Sequence, residues 1–282
     1  MNGGARRSTF LVTALAFGFA FLYIPILLLM IFSFNESKLV TVWGGFSTKW
    51  YGELIRDAQV LGAAWVSLRI AVVNATMAVC LGTLAGFVLA RMGRFRGRLL
   101  LSGMTTAPLV MPEVITGLSL LLLFVAMEGL VGWPGGRGFT TITIAHITFS
   151  MAYVAVIVQS RLTSVDESVE EAAQDLGATP SKVFFVITLP IIAPALVSGW
   201  LLAFTMSLDD LVIASFVSGP GSSTLPMVIF SKVRLGVSPD INALATIIVL
   251  IVATGIVAAG MIMNRAEARR QRDVQMAVAA NK

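Results

Sequence analysis

The chain has 282 residues, of which 57% are hydrophobic and 12% charged. A soluble domain carries about 25% charged residues, so this composition excludes an ordinary soluble protein. The formal net charge of +5 is expected of a membrane protein, whose cytoplasmic loops collect Lys and Arg, and it does not favour nucleic-acid binding. One cysteine and one histidine exclude a disulfide framework and a Cys or His metal cluster.

Six apolar segments are long enough to cross a bilayer as helices, which takes about 20 residues. They cover residues 10–34, 61–90, 99–127, 139–160, 191–217 and 241–263. Apolar residues continue well beyond the length of a signal-peptide core in the first segment, so we expect an uncleaved first span. The sequence therefore predicts an all-α, polytopic membrane protein with six transmembrane helices in a single domain over residues 1–282.

Lys and Arg are distributed unequally between alternate loops. The N-terminus, the loop at 91–98, the loop at 161–190 and the C-terminal tail together hold 13 of them, whereas the intervening loops hold 6. Positively charged residues accumulate in short loops on the cytoplasmic side of a membrane. Both termini and the 161–190 loop are therefore predicted to be cytoplasmic.

The 161–190 loop is acidic and has helical periodicity. Its carboxylates are Asp166, Glu167, Glu170, Glu171 and Asp175. Ser164, three residues before Glu167, fits a capping box that starts a helix. Gly177 suits the left-handed residue that ends it, Pro180 suits the first turn of a second helix, and Pro190 would end that one. We predict a helix–turn–helix that either docks a soluble partner or only links two spans.

Seven positions of this loop resemble a known signature: Glu-Ala-Ala, three residues, Gly, nine residues, Ile-x-Leu-Pro. It is the loop of inner-membrane permease subunits of bacterial ATP-binding-cassette (ABC) importers. The matching residues are Glu171, Ala172, Ala173, Gly177, Ile187, Leu189 and Pro190. The resemblance implies a type I ABC importer permease (MetI-like) fold in the bacterial inner membrane. It also implies that the loop inserts into a groove of an ATPase subunit and transmits ATP-driven closure to the spans.

Further segments resemble the polyamine branch of this family, and in particular the second permease subunit of putrescine importers. They are Phe21–Pro25, Ala107–Glu113, Ser207–Val212 and Ser218–Gly221. The resemblance implies import of putrescine or spermidine from periplasm to cytoplasm. The implied partners are a homologous second permease, two ATPase subunits that bind ATP and Mg²⁺, a periplasmic polyamine-binding protein and membrane lipids. Transport of another small solute on the same scaffold is the alternative.

Four ionisable residues lie within predicted spans, where a charge is costly and usually faces protein or water: Arg69, Glu113, Asp209 and Asp210. Glu113 is expected about midway along the third span, after two prolines that would kink it, where it could hold an ammonium group. Adjacent helical residues point about 100° apart. We therefore expect one aspartate, Asp209 by preference, to face the substrate and the other to form a structural ion pair with Arg69. Alternatively, Glu113 lies at a helix end in interfacial water and both aspartates only cap or pair within the bundle.

The sequence has no G-x-x-x-x-G-K-[ST] phosphate loop, so any ATP hydrolysis is expected on a separate chain. No catalytic residue, bound cofactor or metal site is predicted. His146 is expected to hydrogen-bond to a neighbouring helix. An intramembrane aspartyl protease needs two carboxylates on facing helices that share a proton, which adjacent aspartates cannot provide. An ion-gradient-coupled carrier is a further alternative.

Overall fold

A computed structural model describes residues 3–39, 42–236, 239–255 and 261, and its regular structure there is helical apart from one isolated bridge between Asn35 and Phe46. In chain order the helices are α1 (Gly3–Phe32), α2 (Lys49–Arg56), α3 (Ala58–Arg91), α4 (Arg98–Val110), α5 (Glu113–Val131), α6 (Phe139–Thr163), α7 (Ser168–Asp175), α8 (Pro180–Val183), α9 (Leu189–Asp209), α10 (Val212–Val217), α11 (Leu225–Leu235) and α12 (Pro239–Gly255). A π turn, Phe184–Thr188, joins α8 to α9. The predicted all-α class is confirmed.

Five helical stretches of the described residues are long and apolar enough to cross a membrane. They are Thr9–Phe32, Ala58–Arg91, Glu113–Val131, Phe139–Thr163 and Pro180–Asp209, and α12 is a shorter apolar helix. The sixth predicted span, 241–263, falls partly outside the described residues. The count of six spans and the cytoplasmic position of both termini therefore stay predictions.

The third predicted span, 99–127, is not one helix. Helix α4 ends before Met111, and both Met111 and Pro112 have extended ψ angles of 135°. Pro112 has no N–H to donate and disfavours the helical conformation at the preceding residue, so the helix is interrupted there, although it passes through Pro108. Glu113 is consequently the first residue of α5 and not a mid-helix residue, which corrects the sequence-based expectation.

The fifth predicted span, 191–217, also differs from a single helix. Helix α9 ends at Asp209, the backbone at Asp210 is extended, and α10 begins at Val212. At its other end the helical stretch reaches back beyond residue 191 to Pro180. Both aspartates therefore lie at a helix break.

The chain divides into two compact units, Met1–Asp57 with Lys232–Lys282 and Ala58–Ser231, and the single domain over residues 1–282 stays a prediction. In the first unit, Asn35 organises the segment after α1. Its amide Nδ2 donates to the Val42 carbonyl at 2.7 Å, and its Oδ1 accepts from the Gly44 N–H at 2.8 Å. The buried Trp50 indole donates to the Asn35 carbonyl at 2.6 Å, which fixes α2 against this loop.

The first unit also contains a bridging ammonium group. Lys232 Nζ lies 2.7 Å from Asp57 Oδ2 and 2.9 Å from Asp240 Oδ2. Burial alone would lower the pKa of Lys232, but the hydrogen bonds to Asp57 and Asp240 outweigh it and raise that pKa above its ordinary value. The bridge connects the segment before α3 to the start of α12.

The second unit is built on the packing of α3, α6 and α9, which share a buried cluster of small and branched side chains: Ala75, Ala78, Val154, Val158, Leu162, Ile192 and Ala203. Gly82 and Gly86 of α3 allow the close approach to α6, because a Cβ would lie 2.7 Å from Val154 Cβ at Gly82 and 2.7 Å from the Ala155 carbonyl oxygen at Gly86. The buried Asn74 amide donates to the Ala203 carbonyl at 2.8 Å and connects α3 to α9.

Candidate coupling loop and substrate route

Helix α7 begins with a turn formed by Asp166. Asp166 Oδ1 accepts the Ser168 N–H at 3.0 Å, and this backbone hydrogen bond lowers the pKa of Asp166 below its ordinary value. The Ser164 hydroxyl instead donates to the Arg161 carbonyl at 2.7 Å. The capping box predicted from Ser164 and Glu167 is therefore wrong, because a closer carboxylate takes the first free amide of the helix.

Helix α7 ends at Asp175, and Gly177 just beyond it has the predicted left-handed conformation that terminates the helix. Gly177 has φ of +88°, a left-handed conformation that side chains rarely adopt. Its N–H donates to the Gln174 carbonyl at 2.8 Å, and the Ala178 N–H donates to the Ala173 carbonyl at 3.0 Å. These two bonds form the Schellman motif, which satisfies the terminal carbonyls of α7 and turns the chain sharply into α8.

The apolar side of α7 is exposed. No residue of α7 is buried, and the Leu176 side chain at its end is 90% exposed. Of the signature residues, Glu171, Ala172, Gly177 and Pro190 are exposed, whereas Ala173, Ile187 and Leu189 are half-buried. Val169, which is 47% exposed, and Leu176 therefore leave the apolar side of α7 open to solvent.

The helix does not end at Pro190, contrary to the sequence-based expectation. The Leu189 N–H donates to the carbonyl of Phe184, five residues back, so the π turn replaces the regular helical register just before the proline. The wider turn accommodates the ring and the missing N–H of Pro190, which lies in the first turn of α9. The helical stretch Pro180–Asp209 therefore connects the exposed loop directly to a long apolar helix.

Contacts among three polar side chains, which the sequence did not predict, anchor the loop. Arg91, the last residue of α3, donates to Glu170 from Nε and Nη2, both at 3.2 Å, and to Glu167 Oε1 from Nη1 at 3.0 Å. Glu170 Oε1 also accepts the Thr188 hydroxyl at 3.0 Å. In the sequence, Arg91 and Glu170 stand 79 residues apart, and nothing in the local pattern pairs them among several other charges.

At the α9–α10 break, Asp210 is fully engaged. Its Oδ1 accepts the Ile213 N–H at 3.3 Å, and its Oδ2 accepts the Ala214 N–H at 2.7 Å. Oδ2 also lies 3.1 Å from His146 Nε2, and His146 Nδ1 lies 2.7 Å from the Ser207 hydroxyl. Asp210 thus caps α10 and, through His146, fixes the break to α6. The expected hydrogen bond from His146 to a neighbouring helix is confirmed.

The order Ser–His–Asp in this cluster invites comparison with a hydrolase triad. The Ser207 and His146 side chains are only 4% and 2% exposed. Because no substrate reaches the buried hydroxyl and the carboxylate already holds two backbone amides, the cluster connects helices and does not present a nucleophile.

The predicted ion pair between Arg69 and one of the aspartates is wrong. The Arg69 guanidinium lies over the Phe139 ring, 5.0 Å from its centroid, and forms no ion pair among the described residues. Asp210 is satisfied instead by the amides of α10 and by His146. Asp209 and Glu113, by contrast, are both exposed, each at one end of an apolar helix.

The fold and the loop belong to a recognised class of membrane protein. Residues 82–272, more than half of the chain, match the family described as the binding-protein-dependent transport system inner membrane component. The chain is therefore a member of this family and an inner-membrane permease subunit. It is not the ATP-hydrolysing component of such a system.

Relatives with assigned roles narrow the comparison. The chain is 63% identical over 273 residues to the putrescine transport system permease protein PotI of Escherichia coli (strain K12), covering 96% of each chain. It is 42% identical over 244 residues to the spermidine/putrescine transport system permease protein PotC of the same strain, covering 86% of this chain and 90% of that one.

Solved structures share the fold at low sequence identity. A bacterial ABC transporter involved in the import of the acidic polysaccharide alginate matches with a TM-score of 0.69 and 18% identity, covering 90% of this chain and 95% of that one. The inward-facing MetNI methionine ABC transporter matches with a TM-score of 0.60 and 18% identity, covering 78% and 99%. The predicted ABC importer permease fold is confirmed.

Proposed function

We propose that this chain is one of two homologous permease subunits of an ATP-driven importer that moves polyamines from periplasm to cytoplasm, with putrescine as the principal substrate and spermidine as a second. Identity of 63% to PotI along 96% of the chain supports this substrate class. In the proposed complex, two ATPase subunits bind ATP and Mg²⁺, and a periplasmic polyamine-binding protein delivers the substrate.

The coupling role is carried by one observation, the helical continuity from the exposed loop into α9. The signature residues Glu171, Ala172 and Gly177 lie on or just after α7, and Ile187, Leu189 and Pro190 lie in the π turn and the start of α9. A partner bound to the exposed face of α7 would therefore act on the 30-residue helical stretch Pro180–Asp209 through the short turn at Gly177 and the contact of Glu170 with Thr188. We propose this face as the ATPase docking surface.

The substrate route is proposed to use the exposed carboxylates at the two helix breaks. Asp209 and Glu113 could each accept a charge-assisted hydrogen bond from an ammonium group at these positions. Asp210 would act as a positioning residue, because its oxygens are occupied by the α10 amides and His146.

Reconstitution in proteoliposomes tests the function. We expect uptake of labelled putrescine only when both permeases, the ATPase, ATP with Mg²⁺ and the binding protein are present. Omission of the ATPase is the control. Uptake driven by a proton or sodium gradient through this chain alone, or failure of putrescine to enter while another solute does, would contradict the proposal.

A further inference from the structure

The C-terminal end of α3, helix α7 and the π turn meet at a single cluster of three side chains, which we name the loop anchor: Arg91, Glu170 and Thr188. Their side chains come from three elements that the sequence separates widely. We infer that the loop anchor makes α7 move as one rigid body with α3 and α9. Arg91 and Glu170 would then determine what fraction of the ATP-driven movement of α7 is transmitted to the membrane helices. This inference rests on the proposed coupling role of the loop.

Among the described residues, helix α7 is attached to the rest of the protein only through polar contacts and its own chain connections. It has eight residues, none of them buried, and an isolated helix of that length is unstable in water. Hydrophobic burial therefore cannot hold it against the bundle. The hydrogen bonds of Arg91 to Glu167 and Glu170, together with the turn at Gly177, determine its position.

The geometry is that of a strong pair. The side chains of Arg91 and Glu170 are only 9% and 12% exposed, and the guanidinium contacts both carboxylate oxygens through parallel N–H donors. Such a bidentate pair fixes orientation as well as distance, and separating it would leave two poorly solvated charges. A lysine could replace the charge of Arg91 but not this geometry.

Thr188 extends the anchor to the membrane helix. Its side chain is buried, and its hydroxyl donates to the same carboxylate oxygen that accepts from Arg91 Nη2. Glu170 is thus held from α3 on one side and from the π turn on the other. A displacement of α7 must move both helices together or break these bonds.

The test uses the complete transporter and the ratio of putrescine imported to ATP hydrolysed. We expect Arg91→Gln and Glu170→Gln to lower this ratio by about tenfold, with Arg91→Lys intermediate, while ATPase subunits still co-purify with the complex. Thr188→Val, which removes one hydroxyl and leaves the ion pair, should lower the ratio less. Arg96→Gln is the matched control, because Arg96 is an exposed arginine in the short segment that follows Arg91. An unchanged ratio of putrescine imported to ATP hydrolysed in Arg91→Gln would overturn the inference. It would also be overturned if Arg91→Gln and Glu170→Gln both lost ATPase binding while Thr188→Val kept a normal ratio.

A second readout does not depend on the transported solute. In a Cys80→Ala background, spin labels at Gln174 of α7 and at Met92 just after α3 report the distance across the anchor. We expect one narrow distance distribution that ATP does not change in the otherwise unaltered complex, and a broad or ATP-dependent one in Arg91→Gln. An ATP-dependent distance with Arg91 present would overturn the inference. If putrescine does not enter while this distance stays fixed, the substrate assignment fails and the anchor stands.

Discussion

Two adjacent aspartates have different surroundings at the break between α9 and α10. Asp210 accepts two backbone amides and contacts His146, so its carboxylate is committed to the protein. Asp209 ends α9 with an exposed side chain. The environment, and not the residue type, assigns the capping role to Asp210 and leaves the Asp209 side chain exposed.

We expect Asp209→Asn to raise the KM for putrescine by about tenfold with little loss of folded protein, because it removes only a charge-assisted contact to substrate. Asp210→Asn should instead destabilise the protein by about 1–3 kcal/mol, since the charged acceptor of two amides and His146 is lost. Uptake kinetics and thermal unfolding in detergent measure both effects. Normal KM in Asp209→Asn would show that this carboxylate does not meet the substrate.

The Lys232 bridge predicts a specific pH dependence. Its pKa is raised in the folded protein, so its contribution to stability is complete below the unfolded pKa and is lost as pH rises through the folded value. The unfolding temperature of Lys232→Met should therefore lie below that of the wild type by a constant amount between about pH 6 and about pH 9, and the difference should shrink above about pH 10.5. A difference that persists unchanged above the folded pKa of Lys232 would contradict this bridge.

At the scale of elements, apolar composition located the long helices but not their interruptions. Apolar residues continue through Met111 and resume directly after Asp209 and Asp210, so hydropathy predicts one span where the backbone forms two helices. Pro190 has the opposite outcome, because the π turn lets the helix continue through a residue that usually ends one. Gly177 could be predicted because its conformation is a local property, whereas the Arg91–Glu170 pair depends on tertiary contact.

The contact between α3 and α6 depends on missing side chains. Gly86→Val should destabilise the protein by about 1–3 kcal/mol, because a new Cβ would lie 2.7 Å from a backbone carbonyl oxygen that cannot move aside. Gly103→Val in α4 is the matched control, since it makes the same substitution in a helix where nothing lies within 4 Å. Thermal unfolding and the yield of membrane-inserted protein measure the effect. Equal loss in both variants would mean that helix propensity, and not packing, is responsible.

At the scale of the whole molecule, the family fold connects one exposed loop directly to one long helix. The loop is fixed to α3 and α9 by polar contacts, and both of those helices pack with α6 in the core of the second unit. A change in the conformation of the exposed turn of this loop should therefore weaken assembly with the ATPase and leave membrane insertion intact.

Gly177→Val tests this separation. A β-branched residue at φ of +88° costs about 1–3 kcal/mol locally, although no neighbouring atom lies within 4 Å to clash with it. We expect normal amounts of protein in the membrane, at least about tenfold less co-purified ATPase, and loss of putrescine uptake. Gly129→Val, in an open site without positive φ, is the control. Full retention of the ATPase by Gly177→Val would refute the docking role of the turn.

The π turn at Phe184–Thr188 determines the direction in which the 161–190 loop faces around the axis of α9. One extra residue within a helical turn rotates everything before it by about 100° around the helix axis relative to everything after it. Deletion of a single residue from the turn would therefore convert it to a regular helical turn. Transport would nevertheless be uncoupled from ATP hydrolysis, because α7 would face a different side of the protein. The π turn thus sets a fixed rotation, about the helix axis, between the segment proposed to bind the ATPase and the helix proposed to cross the membrane.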